Sequence, residues 1–197
     1  MEDSRFQFKE SLNIMVILDA SGSMANIEGD QTRMEAAKSA INSFMESLPQ
    51  EANVGLRIYG HEGSGSKTDK ARSCSSSELV YSIDKYDPAK FNQALVKAKP
   101  AGWTPIGFAL KEAQKDLAAF QGDANTNIVY LVSDGISTCD DDPVGSAKAL
   151  YDSDITPIIN VIGFNVDQEG QKQLQEVAKV TEGTYQNVQM AEGLYDH

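Results

Sequence analysis

The chain has 197 residues, 41% hydrophobic and 23% charged, which is the composition of a globular protein with one substantial core. Its 29 acidic residues outnumber 17 basic ones for a net charge of -12, a field that repels phosphate backbones, argues against nucleic-acid binding and favours divalent cations and basic partner surfaces. No apolar run approaches the roughly 20 residues of a membrane helix, and Met1 to Glu10 is too polar and charged for a secretory leader.

Residues 1–11 have no period and read as a lead-in. The run Ile14-Met15-Val16-Ile17-Leu18 predicts a strand over 13–18 that is buried on both faces, as at the centre of a parallel sheet. It delivers Asp19-Ala20-Ser21-Gly22-Ser23-Met24 to its carboxyl end. Asp19, Ser21 and Ser23 are small oxygen donors that suit a hard cation such as Mg2+ or Ca2+. Gly22 permits the tight turn that lets both serines face the same point as Asp19. After Gly29-Asp30-Gln31-Thr32, the spacing of Met34, Ala37, Ile41, Phe44, Met45 and Leu48 predicts an amphipathic helix ended by Pro49.

A second strand is expected over 54–59, and a long Gly-, Ser- and charge-rich loop over 60–77, whose length suggests a functional or specially anchored segment. Residues 79–83 read as a short edge strand, and Pro88 opens a helix over 89–98. Gly102-Trp103-Thr104-Pro105-Ile106-Gly107 leads into a helix marked by Ile106, Ala109, Leu110, Ala113, Leu117 and Phe120. A buried strand over 127–133 delivers Ser133-Asp134-Gly135. A short helix over 143–151, a strand over 156–162, a helix over 168–180 and a strand over 183–188 follow. Residues 190–197 read as the start of a helix that stops short.

Alternating strands and helices predict a three-layer, doubly wound α/β fold, with a mostly parallel central sheet and helices on both faces in the Rossmann-like manner. One domain over 1–197 is expected, with its core at about 12–188 and the start of a C-terminal extension over 189–197. Ligands of such sheets bind beyond the carboxyl ends of the strands, where the strand order reverses. Asp19 and Asp134 both follow such ends.

The pattern Asp19-x-Ser21-x-Ser23 after a buried strand, then Thr104 in T-P-x-G, then Asp134 in strand-S-D-G, resembles the metal-ion-dependent adhesion site (MIDAS) of von Willebrand factor A (VWA) domains, of the exported bacterial type. The resemblance implies that Ser21, Ser23 and, depending on conformation, Thr104 bind Mg2+ (or Ca2+ or Mn2+) directly. Asp19 and Asp134 hold coordinated water, or one of them binds directly. It also implies a non-enzymatic adhesion or interaction module in which a Glu or Asp of a partner protein completes the metal sphere. A monomer is expected. Two other readings are a metal-dependent hydrolase on the same fold and a structural or regulatory domain of a larger assembly.

Trp103 is read as a partner contact beside the site or as a loop cover. His61 is read as a hydrogen-bonded loop histidine rather than a base. Neither D-x-D-x-T nor G-x-G-x-x-G occurs, so phosphoryl transfer and dinucleotide binding lack support. Asp140-Asp141-Asp142 reads as a solvated loop that starts a helix, or as a second cation site. Cys74 and Cys139 are the only cysteines. Bacterial members that the chain resembles share such a pair, which implies a disulfide and an extracellular or cell-surface location with the leader removed; the alternative is two free thiols in a cytosolic protein.

Overall fold

A computed structural model describes residues 11–188. Most of the lead-in and the helix expected at 190–197 therefore lie outside the described residues. The elements follow in the order β1 (Ser11–Asp19), β2 (Ile27–Glu28), β3 (Gln31–Thr32), α1 (Arg33–Ser47), β4 (Asn53–Tyr59), α2 (Lys70–Cys74), β5 (Ser77–Lys85), α3 (Pro88–Val96), α4 (Ile106–Asp116), β6 (Asn125–Ser133), α5 (Pro143–Tyr151), β7 (Ile158–Phe164), α6 (Gln168–Lys179) and β8 (Tyr185–Val188).

Six strands form one sheet in the order β5-β4-β1-β6-β7-β8, parallel throughout except for the antiparallel edge strand β5. The sequence-order path leaves β1 toward β4 and then crosses to β6 on its other side. The reversal therefore falls between β1 and β6, and the crevice beyond their carboxyl ends is the ligand position of such a sheet.

β1 is apolar on both faces because both are covered. Ile14, Val16 and Leu18 pack with Met34, Ala37, Ile41 and Met45 of α1 and with Phe91 and Leu95 of α3. Met15 and Ile17 pack on the opposite side with residues of α4, α5 and α6, among them Leu110, Leu150 and Leu174. Each such fully buried aliphatic side chain contributes about 1.5–3 kcal/mol. At the amino end of the sheet, the wholly buried Asn13 donates to Asn125 (3.0 Å) and Asn127 (2.9 Å) and accepts from Asn53 (2.9 Å). Its amide is thus satisfied and locks β1 in register with β4 and β6.

Caps set most helix starts. Thr32 and Glu35 form a reciprocal capping box on α1. Asp87, Asp142 and Asp167 each accept from the first-turn amides of α3, α5 and α6.

Several boundaries differ from expectation. The edge strand is longer than 79–83, running Ser77–Lys85 through two register shifts against β4. The strand expected at 156–162 starts at Ile158, because Thr156 sits in the left-handed region (φ 46°) and closes the preceding turn. The 29–32 stretch folds into the small β2–β3 hairpin, which turns at Gly29 (φ 74°). The 60–77 loop is not structureless: a 3-10 turn at Lys67–Asp69 runs into α2, which ends at Cys74.

Cys74 is bonded to Cys139, with a sequence separation of 65. The bond ties the 60–77 loop, which has few apolar residues of its own, to the loop after β6. Closing a loop of this length stabilises by about 4 kcal/mol on the chain-entropy account. Replacing both cysteines by serine is expected to lower the chemical-denaturation free energy by up to this amount and to expose the 60–77 loop to proteolysis. Thiol titration of the unfolded, unreduced protein should find no reactive thiol, and two per chain would contradict the bond.

Candidate metal centre

Asp19 ends β1 and is wholly buried. Its Oδ1 accepts from the Ser21 amide (2.8 Å) and its Oδ2 from the Ser133 hydroxyl (2.8 Å). The next turn brings Ser21 Oγ to 3.3 Å from Ser23 Oγ, and Ser23 Oγ donates to Asp134 Oδ1 at 3.0 Å. Asp19, Ser21, Ser23 and Asp134 thus form one continuous hydrogen-bonded cluster at the β1–β6 reversal. Ser21 and Asp134 are buried and Ser23 is exposed, so the cluster opens to solvent at Ser23.

The loop before α4 lies alongside. Ser21 bridges Gly102, the Gly22 amide donates to the Gly102 carbonyl (2.9 Å), and the Ala101 amide donates to the Ala20 carbonyl (3.0 Å). Thr104, 7% exposed, is held by its backbone: its amide donates to Thr138 Oγ1 (2.9 Å), and its carbonyl accepts from the Thr138 amide and the Ser137 hydroxyl (both 3.1 Å). Gly60 is where these loops cross. Its φ is +76°, and a Cβ there would stand 2.3 Å from the Trp103 carbonyl oxygen and 3.1 Å from the Ser21 amide. Both the left-handed backbone and the close approach require glycine.

The two carboxylates are stabilised differently. Asp134 Oδ2 accepts from Arg33 at 2.9 Å, and Arg33 is itself held by Glu28 at 2.8 Å. Asp19 has neutral donors only. Burial, and next the Asp134 charge, push its carboxyl up from 3.8 to about 7. Beneath it, burial and then the Asp19 charge push the Tyr59 phenol well above its ordinary value, so that its hydroxyl keeps its proton.

The donor set consists of hydroxyls and carboxylates, with no nitrogen or sulfur donor in the cluster, and this fits a hard divalent cation. The Arg33 guanidinium against Asp134 already places one positive charge beside the cluster. Ser21, Ser23 and Asp134 are the residues of the cluster that would hold the ion, with Asp19 behind them, and Thr104 would join them from the adjoining loop, where its amide and carbonyl are fixed by Thr138 and Ser137.

Other candidates fall outside the cluster. Trp103 is half-buried: its amide donates to Ser73 Oγ (2.7 Å), its indole donates to the Ser66 carbonyl (3.0 Å), and Lys70 Nζ lies 4.9 Å from its ring centroid. The ring therefore packs on the disulfide-tied loop. His61 pairs with Glu78 of β5 (3.3 Å). The Asp140-Asp141-Asp142 carboxylates diverge. Asp140 pairs with Lys70 (2.7 Å), Asp141 accepts from Ser137 and from the Phe108 amide (3.0 Å) in the first turn of α4, and Asp142 caps α5. No group of three or more His, Cys, Asp or Glu placed to hold a metal occurs among the described residues.

Arg33, Ser133, Gly60 and Tyr59 were not assigned to the site by sequence reasoning. Ser133 immediately precedes Asp134 and could have been found as its strand-end neighbour. Arg33 reaches Asp134 across 101 positions, for which no local signal exists.

Comparison with known proteins follows this geometry. Residues 14–136 match the family model described as von Willebrand factor type A domain. Two uncharacterized proteins of Bacillus subtilis (strain 168) are similar along most of their length. YwmD is 39% identical over 88% of this chain and 77% of its own, and YwmC 35% identical over 93% and 80%. Among solved structures, the SpRpn10 VWA domain has a TM-score of 0.69 at 17% identity, covering 91% of this chain and 89% of that one. The pilus adhesin SpaC from Lactobacillus rhamnosus GG has a TM-score of 0.69 at 16% identity, covering 91% and 28%. Proximal thread matrix protein 1 from the mussel byssus, with a zinc-occupied MIDAS motif, has a TM-score of 0.65 at 17% identity, covering 91% and 42%. No helix among the described residues is long and apolar enough to cross a membrane.

Two outcomes are expected. The raised Asp19 pKa means that its neutral form stabilises the fold: the contribution is full below 3.8 and is lost as pH rises through about 7. In EDTA, the stability of wild type, followed by its melting temperature, should therefore fall between about pH 4 and about pH 7 relative to that of Asp19→Asn, at up to about 1.4 kcal/mol per pH unit, and level off above that range. Gly60→Ala should destabilise by roughly 2 kcal/mol or more, measured by denaturant titration, because the added Cβ meets backbone that cannot retreat.

Proposed function

This chain belongs to the von Willebrand factor type A domain family, and from that membership we propose that it is a divalent-cation-dependent protein-binding module rather than an enzyme. The observation that carries the reading is the convergence of Asp19 and Asp134 through Ser21 and Ser23 at the strand-order reversal, a contact that spans 111 positions between Ser23 and Asp134. When bound, a Mg2+, Ca2+ or Mn2+ ion supplies a hard, electrophilic position that an acidic side chain of a partner completes.

The residues of this chain divide the work. Ser21, Ser23 and Thr104 offer neutral hydroxyls, so they leave the positive charge unquenched for an incoming anion. Asp19 and Asp134 balance that charge from below. Arg33 withdraws part of the Asp134 charge, which further favours an anionic partner. Ser23, the exposed member, marks where the partner's Glu or Asp enters, and Trp103 beside Thr104 offers a flanking contact.

An extracellular or cell-surface setting is part of the proposal. The Cys74–Cys139 bond supports it, since such bonds persist outside the reducing cytosol. The shared fold of a pilus adhesin and a byssus matrix protein supports an adhesive role.

The test has two arms. Asp19→Ala should fold, because the strands pack without an ion, yet calorimetry with Mn2+ should show affinity reduced by more than the roughly 10- to 100-fold that loss of an outer-shell partner produces. Pull-downs in Mg2+ and in EDTA should then recover a partner only in Mg2+, and one acidic substitution in that partner should mimic EDTA. Undiminished Mn2+ binding by Asp19→Ala, capture that ignores EDTA, or hydrolytic turnover would each overturn the proposal.

A further inference from the structure

Tyr59 is the last residue of β4 and the register partner of Asp19 on β1. It is among the largest fully buried side chains, packed in the layer that contains Ile17, Ile106 and Leu110. Its hydroxyl makes no hydrogen bond of good geometry among the described residues, although it lies close enough to Asp19 and Ser133 to interact with both. A buried hydroxyl without a partner is destabilising, and a phenylalanine would fill the same space without that penalty. The hydroxyl lies among the groups of the candidate centre, since Asp19, Asp134 and Ser133 all act on it. Both Asp19 oxygens are already engaged, Oδ1 by the Ser21 amide and Oδ2 by Ser133. What remains for Tyr59 is a further lone pair of Asp19 or a water held beside it. Hard divalent ions bring such waters, and Mg2+ in particular keeps several.

We propose that Tyr59 is a positioning residue for the cation: its hydroxyl hydrogen-bonds the shell of carboxylate and water that Asp19 holds around the ion. In the protein alone this hydroxyl makes no hydrogen bond of good geometry among the described residues, and loading supplies one. The inference rests on the reading of Asp19, Ser21, Ser23 and Asp134 as a cation centre. Tyr59 is fully buried whereas Ser23 is exposed, so it tunes how tightly the ion is held without touching the partner.

The experiment compares wild type with Tyr59→Phe by calorimetry with Mn2+ alone and by thermal melting in EDTA. The expected result is a loss of about tenfold in Mn2+ affinity, the low end for an outer-shell partner, with a melting temperature in EDTA equal to or above that of wild type. A hydroxyl with a purely structural role would give the reverse. A Tyr59→Phe protein that fails to fold, or that melts lower in EDTA with unchanged Mn2+ affinity, overturns the inference. Unchanged affinity and unchanged melting overturn it too. If wild type binds no Mn2+, the cation reading itself fails. If wild type binds, Asp19→Ala does not and Tyr59→Phe binds like wild type, this inference alone fails.

Discussion

Asp19 is a carboxylate with no exposed surface, placed at the end of the central strand beside a second carboxylate. An ionised group buried in this way costs several kcal/mol unless it is paired or fully hydrogen-bonded. The surroundings divide that burden unequally. Asp134 receives a guanidinium from Arg33, whereas Asp19 receives only an amide and a hydroxyl. Burial, and next the Asp134 charge, therefore hold the Asp19 proton on up to about 7, with no cationic side chain beside Asp19 among the described residues to offset them. A divalent ion between the two would complete what Arg33 does in part. The capacity of the site for positive charge is therefore built into the way the fold tolerates its own buried acids.

Much of this was legible in the sequence for physical reasons. The run from Ile14 to Leu18 shows no alternation because both faces of β1 are covered, and that alone placed it at the sheet centre. The helix faces were legible from side-chain period: Met34, Ala37, Ile41 and Met45 all point to the core. Asp19, Ser21 and Ser23 were legible because a turn carries all three, and Thr104 and Asp134 through the resemblance. What escaped was long-range or edge-related. Arg33 sits at an ordinary first helical position, and only the tertiary fold delivers it to Asp134. The ends of β5 escaped because an edge strand with half-exposed and exposed residues such as Glu78, Ser82 and Lys85 lacks the apolar contrast that marks an interior one. Asp140, Asp141 and Asp142 read as a single acidic run, yet backbone geometry, with Asp140 at φ 60°, sends them to three separate partners.

The rim of the centre is braced from the side. The disulfide holds α2 against the loop after β6, and Trp103 is caught between Ser66, Ser73 and Lys70. Lys70 also reaches Asp140, across from its own loop. The 60–77 loop and the loop after β6 are thus tied to each other and to the backbone that carries Thr104. A partner of the proposed kind would meet a surface whose ordering entropy was lost during folding rather than during association, which favours affinity for a given contact area.

The hydrogen bond from Ser133 to Asp19 spans 114 positions, and it joins two parallel strands whose pairing requires crossovers to form first. Contacts of such high order assemble late, because a long loop must close before they contribute. During synthesis the chain therefore displays its D-x-S-x-S turn well before β6 exists to complete the cluster. The nascent segment has one of the two carboxylates of the cluster and no crevice, so the acidic partner proposed above would find no complete site on it. On the proposed reading, cation affinity would report on the finished fold: whatever bound this centre would also select, from the whole population of chains, those that have closed the sheet.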